Sequence, residues 1–197
     1  MLLDPRVVYI AASINLIGIG GYAWDTLKGK TKPNRITWLL WTIAPLIAFF
    51  AQISEGAGLA AVLTLAIGLG PLLVLIASAV NTNAYWRVTS FDMICATVSL
   101  LALVLWAITD KGTVAIVLSI IADFMAAIPT IRKAYAHPET ESSNAFLAGV
   151  IAAVLTILSV ETFNFVSVAF PLYLLLNGLL LYVLIQFPKL RPQKALA

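Results

Sequence analysis

Asp123 stands near the middle of an apolar run, with Ser119 four residues before it and Thr130 seven after. Helical spacing puts the three on one face. A carboxylate at the centre of a membrane helix costs roughly 2.5–3.5 kcal/mol on insertion scales, so it should face a cavity or a partner. Its chemical uses are to hydrogen-bond a solute or to carry a proton. The plainer reading is an interhelical hydrogen bond, with Asn15 as the candidate partner. Asn15 and Asn177 interrupt two further apolar runs. Each carboxamide offers two donors and an acceptor, a fit for hydroxyls or for another carboxamide. Used only as links between helices, such groups are worth about 0.6–2 kcal/mol.

Aromatic residues supply the second set of candidates. Trp41 and Pro45 lie four apart on one face, one to two turns inside a run, where an indole can stack on a sugar or base ring. Trp38, a turn earlier, reads chiefly as an interfacial anchor, as do Trp86 and Trp106. Tyr22 follows Asn15 by seven residues and either lines the same cavity or packs. Gly18, Gly20 and Gly21 would allow close helix approach.

The elements that must carry these residues are helices in a bilayer. Of 197 residues, 61% are hydrophobic and 11% charged, whereas a soluble domain is about a quarter charged. Runs long enough to span about 30 Å fall near 7–27, 36–53, 58–80, 90–109, 113–132, 144–160 and 165–187. The first is not a cleaved signal peptide: it lacks a strongly basic flank, is too long, and holds Asn15 at its centre. Cys95 is the single cysteine, so neither a disulfide framework nor a cysteine metal site is expected.

Lysine and arginine mark the sides. Lys28, Lys30, Lys32, Arg35, Arg87, Arg132, Lys133, Lys189, Arg191 and Lys194 fall on one side, and Arg6 and Lys111 on the other. Ten against two predicts an outside N-terminus and a cytosolic C-terminus. With the basic residues at helix ends, a net charge of +3 is no nucleic-acid signature. Asn34, and Ser142 or Ser143, read as N-caps of the second and sixth helices; Ser90 precedes the fourth, and Asp92 sits in its first turn, where the helix dipole favours a negative charge. Asp25, Glu55, Asp110 and Glu161 read as interfacial charges. His137, Glu139 and Glu141 read as a solvated turn.

At an offset of 108 residues, TWLLWTIA (37–44) falls on AFLAGVIA (145–152), Asn15 on Asp123 and Gly70 on Gly178. Hydropathy and loop lengths follow the same offset. One helix between the copies makes them parallel, a plan that places a transport site between the repeats near the midplane. The expected domains are a first three-helix repeat (1–83), a linker helix (84–111), a second repeat (112–188) and a cytosolic tail (189–197). The fold class is an all-α membrane protein of seven transmembrane helices in a 3+1+3 arrangement.

This arrangement resembles the SWEET and PQ-loop transporters. Ile128-Pro129-Thr130, followed by Ile131–Tyr135 and a polar loop, is similar to the PQ-loop signature, with threonine in place of glutamine. Gly21-Tyr22 occupies that place in the first copy. Pro45 matches a hinge proline of the family's second helix; its partner position is Ala153. Asn177 matches a substrate-contacting asparagine, whose counterpart here is Leu69. The run Trp38-Leu39-Leu40-Trp41 also resembles one in bacterial nicotinamide riboside transporters. The resemblance implies a multi-pass protein of the cell (inner) membrane. It would move a small polar solute, sugar-like or vitamin- and nucleoside-like, by alternating access. Asn15, Tyr22, Trp41, Ser119, Asp123 and Asn177 would form the site, with Pro45 and Pro129 at hinges. No cofactor, metal or nucleic acid is implied; the partners are the solute and the lipid bilayer, and a homo-oligomer stays open. A ligand-binding receptor or scaffold on the same fold is the alternative. The cytosolic loops offer no catalytic cluster, so an enzyme is not expected, and a retinal protein would need a lysine that 165–187 lacks.

Overall fold

The computed structural model describes residues 2–54, 59–109, 112–160 and 162–187. The expected tail and Glu55, Asp110, Lys111 and Glu161 lie outside the described residues. All regular structure among them is helical: α1 (Val7–Leu27), α2 (Arg35–Ser54), α3 (Leu59–Val80), α4 (Ser90–Ala107), α5 (Gly112–Ala136), α6 (Ser143–Leu158) and α7 (Phe165–Gln186), with a 3₁₀ turn over Pro138–Thr140. Each apolar run of the sequence is one helix. The largest difference is at α5, expected to end at 132, which continues through Pro129 to Ala136. Its last turn does not dissolve into solvent because Lys133 there is buried against a partner.

Four stretches are long and apolar enough to cross a membrane: Val7–Leu27, Ser90–Ala107, Thr113–Ala136 and Ser167–Gln186. Shorter apolar stretches are described over Arg35–Ile47, Ile67–Val80 and Ser143–Leu158. The outer surface is apolar, with Ile17, Ile94, Leu101, Val104 and Leu176 all exposed. Soluble proteins rarely expose apolar area on this scale, and the exterior is consistent with a membrane protein.

Local chemistry sets the helix starts. Asn34 Oδ1 accepts from the N–H groups of Ile36 (3.1 Å) and Thr37 (3.4 Å), as an N-cap does. At α4 the cap is Thr89, not Ser90. Its hydroxyl accepts from Asp92 N–H at 3.4 Å, and Asp92 Oδ2 accepts from Thr89 N–H at 2.8 Å, closing a capping box. Asp92 is thereby accounted for as a structural residue. Ser142 holds the N-cap position of α6 but makes no capping bond, and Ser143 Oγ instead donates to Gln186 at the end of α7.

Successive helices run in alternating directions. The loop after α1 meets the 3₁₀ turn through Lys32 N–H to Thr140 O, and Asn81 after α3 donates to Thr26 O and Leu27 O at the end of α1. Trp86 before α4 packs on His137. These segments gather Lys28, Lys30, Lys32, Arg35, Arg87, Arg132 and Lys133 at what is here called the basic end. At the opposite end Leu2 and Leu3 donate to Leu158 O.

In the first group α3 packs on both α1 and α2; in the second α7 packs on both α5 and α6. The groups meet closely along α1 and α6 and more thinly along α2 and α5, and α4 lies on α5 while touching α2. Gly18 explains the close seam: a Cβ there would collide with the Ala148 methyl and lie 3.5 Å from the Ala145 backbone. Gly20 and Gly21 face open space, so close approach requires glycine at only one of the three expected positions. Gly18→Leu is expected to lower stability by about 1–3 kcal/mol through overpacking. Gly21→Leu should be neutral or mildly stabilising, since leucine is the better helix former. Thermal unfolding of the two variants in detergent checks the contrast.

Candidate functional site

A cavity of about 460 Å³ lies inside the bundle, and every helix contributes to its wall. That is the size at which proteins hold small organic molecules. It extends from Trp38 and Leu181, toward the basic end, to Val8, Trp106, Thr156 and Phe170 toward the opposite end.

Five of the six expected site residues line it: Asn15, Trp41, Ser119, Asp123 and Asn177; so does Pro45. Tyr22 and Pro129 do not. Asp123 is not paired with Asn15. Its Oδ2 accepts the hydroxyl of Tyr173 on α7 at 2.6 Å. Tyr173 escaped the sequence reading, although it precedes Asn177 by four residues and so shares its face. The Ser119 hydroxyl is engaged at home, donating to Ala115 O at 2.8 Å. Asn15 Oδ1 lies across from Gly149, where an added Cβ would come within 3.7 Å of it.

Three polar groups of wall residues have no hydrogen-bond partner: Asn177 Oδ1, Trp41 Nε1 and Trp38 Nε1. The Trp41 N–H lies beside the Asp123 carboxyl without making a hydrogen bond to it. Buried polar groups are nearly always satisfied in folded proteins, and unmet ones at a cavity mark places for a ligand or water. Trp38 and Trp106, expected as interfacial anchors, both line the cavity, and Trp38 is only 2% exposed.

Below the cavity, toward the basic end, the structure is closed. The Trp38 ring stands edge-on to Trp41 at 5.3 Å and tilted against Tyr22 at 4.7 Å, and Tyr22 meets Phe146 at 6.4 Å. Tyr22 is fully buried, and its hydroxyl donates to Glu141 Oε2 at 2.6 Å. Glu141 Oε1 lies 2.7 Å from Lys133 Nζ, with side-chain exposures of 0% and 1%. This contact is ionic rather than a well-aligned hydrogen bond. Lys133 Nζ also donates to the Lys32 carbonyl and sits 5.2 Å from the Trp86 ring centre. Beside this cluster Thr130 Oγ1 donates to Thr37 Oγ1 at 3.0 Å, joining α5 to α2.

The expected solvated turn is therefore corrected. His137 and Glu139 do form an exposed pair at 3.2 Å, whereas Glu141 turns inward. Lys133, expected as a topology charge, is its counter-ion. Two ions removed from water are retained only where partners surround both, and here Tyr22, the Lys32 carbonyl and Trp86 complete the shell. Among the described residues no three His, Cys, Asp or Glu side chains come together as a metal site requires.

No family model matches the chain, and no curated protein or solved structure matches it. The functional reading therefore starts from the cavity and the seal beneath it.

Glu141→Gln leaves an unpaired buried ammonium and should cost about 3–5 kcal/mol, whereas replacing both ions by apolar residues (Lys133→Met with Glu141→Leu) should recover most of that loss. Tyr22→Phe removes one hydrogen bond to a charged group and should cost about 1.5–3 kcal/mol. Thermal unfolding of the four proteins gives the order, and a double variant no better than Glu141→Gln would show that the pair is not what stabilises this end.

Proposed function

We propose that the protein is a multi-pass transporter of the cell (inner) membrane that moves a small polar solute by alternating access through the cavity. The observation that carries this is a chamber walled by both helix groups, bearing unpartnered polar groups, with a dense seal at one end. A purely structural bundle gains nothing from an acidic, hydrogen-bond-deficient hollow at its centre.

The packing supports the two-bundle reading. The place of α3 between α1 and α2 is repeated by α7 between α5 and α6, and the α1–α6 seam is answered by α2–α5. In this reading the chain has seven spans, 3+1+3, with parallel bundles joined by α4, and the solute sits between the repeats as in other repeat-built transporters. The likeness to SWEET and PQ-loop proteins at Pro45, Pro129 and Asn177 points the same way. The excess of lysine and arginine at the basic end supports a cytosolic position for it. The N-terminus is then outside, and the chamber is sealed on the cytosolic side.

Transport follows from exchanging seals. Solute enters from the outer side and contacts Asp123, Asn177, Asn15 and Trp41. The cluster around Lys133 and Glu141 and the Thr37–Thr130 bond then part, while α2 and α5 bend near Pro45 and Pro129, where a backbone hydrogen bond is already missing. Trp38 and Tyr22 move with the helices that carry them.

Thiol labelling tests this without knowledge of the solute. In a Cys95→Ala background, Ser119→Cys should react with a membrane-impermeant reagent from the N-terminal face of oriented vesicles. Adding Thr37→Val or Glu141→Gln should make it at least several-fold more reactive from the basic face. Reactivity confined to one face in every variant would leave a one-sided binding chamber, the receptor reading, in place of a transporter.

A further inference from the structure

The polar groups of the chamber also select the charge of what it holds. Among the residues lining it, Asp123 carries the one side chain that can bear a full charge, and none is lysine, arginine or histidine. Tyr173 takes Oδ2, and the Trp41 N–H lies beside the same carboxyl. The hydroxyl comes from α7, and four residues further along the same face is Asn177. Side chains so spaced stand about 5–6 Å apart at Cβ. The Asn177 side chain is more than nine-tenths buried, and its Oδ1 has no partner. A carboxylate and an orphan amide oxygen thus line the same chamber, the first joined through the Tyr173 hydroxyl to the helix that carries the second, and both accept hydrogen bonds. The aromatic surfaces of the same chamber, among them Trp38, Trp41, Phe146, Phe170 and Trp106, offer an anion indole N–H groups but no positive charge.

The candidate solutes differ in how they meet these groups. A carboxylate or phosphate would face Asp123 with no counter-charge in reach. A sugar hydroxyl can donate to either oxygen but leaves the carboxylate unneutralised in an apolar chamber. A quaternary ammonium or N-substituted pyridinium supplies the charge but has no N–H on its cationic nitrogen for Asn177. A protonated primary or secondary amine supplies both, because its N–H groups radiate from the charged atom and can reach two acceptors at once. Aromatic faces beside it favour the cation as well as an apolar body attached to it.

We infer that the solute is an amphiphilic monoamine, its ammonium N–H groups shared between Asp123 and Asn177 and its apolar body against Trp41 and Phe170, and that it carries no carboxylate or phosphate. This rests on reading the chamber as the solute site, and it replaces a general polar solute by a cation of defined shape.

The test is calorimetric titration of the purified full chain with four matched probes: 2-phenylethylamine, 2-phenylethanol, the N,N,N-trimethyl derivative of the amine, and phenylalanine. The amine should bind at least about tenfold tighter than each of the others, as one charge-assisted hydrogen bond predicts. Asp123→Asn should erase the preference for amine over alcohol, and Asn177→Ala should narrow that for amine over its trimethyl form. Equal binding of the alcohol or of the trimethyl form overturns the inference, and so does failure of the amine to bind. The comparison within the unaltered protein stands even if a variant does not fold. Amine bound but never carried across a vesicle membrane would keep the inference and remove transport. Passage of a neutral sugar or nucleoside, with no amine binding, would do the reverse.

Discussion

The contact on which the basic end depends is the ion pair of Lys133 with Glu141. Neither side chain has access to water, so each is tolerable only because the other is there. Satisfying them requires three pieces of chain to converge: the end of α1 for Tyr22, the loop after it for the Lys32 carbonyl, and the loop before α4 for Trp86. Each of these lies in the first half of the chain, while both ions lie in the second. The pair therefore does more than fill space. It specifies how the two helix groups meet at this end, and it places Tyr22 under Trp38, which closes the floor of the chamber.

Much of the scaffold was legible in the sequence, for reasons that are local. Apolar runs of spanning length read directly as helices, and Asn34 and Asp92 act within one turn of themselves. Five chamber residues were also legible, because a polar group inside an apolar run has few places to face. What escaped depends on tertiary convergence. Lys133 sits among loop-end charges that mark topology, and Glu141 sits between polar neighbours in a turn; nothing within a few residues of either says that they point inward at each other. Trp38 has the position of an interfacial anchor, and only the arrival of Tyr22 and Phe146 from other helices makes it core. Tyr173 had a readable signal in its spacing from Asn177, but tyrosines in apolar helices are common enough that the spacing alone did not single it out.

The chamber and the seal divide the polar residues of the interior into two economies of hydrogen bonding. At the basic end, although Asn34 Nδ2 and, at the chamber floor, Trp38 Nε1 have no partner, most donors and acceptors are matched: Thr26 with Thr31, Thr130 with Thr37, Tyr22 and Lys133 with Glu141. In the chamber they are not, and Asn177 and Trp41 are left incomplete beside a carboxylate that is only half engaged. Matched polar groups hold a shape, and unmatched ones wait for a guest. Both occur within a few turns on the same helices, so occupancy of the chamber acts directly on the elements that form its floor.

The contact of Gly18 with Ala148 has a mechanical consequence. Where two backbones touch through a glycine, no side chain lies between them to rotate and take up slack. Parting them would open a void that neither lipid nor solvent fills cheaply. The α1–α6 seam thus serves as a spine. The thinner α2–α5 seam, bridged by one threonine pair and backed by α4, is the compliant flank. Any flexing of the proposed kind would then be that of a book bound on one side, its pages turning where α4 lies.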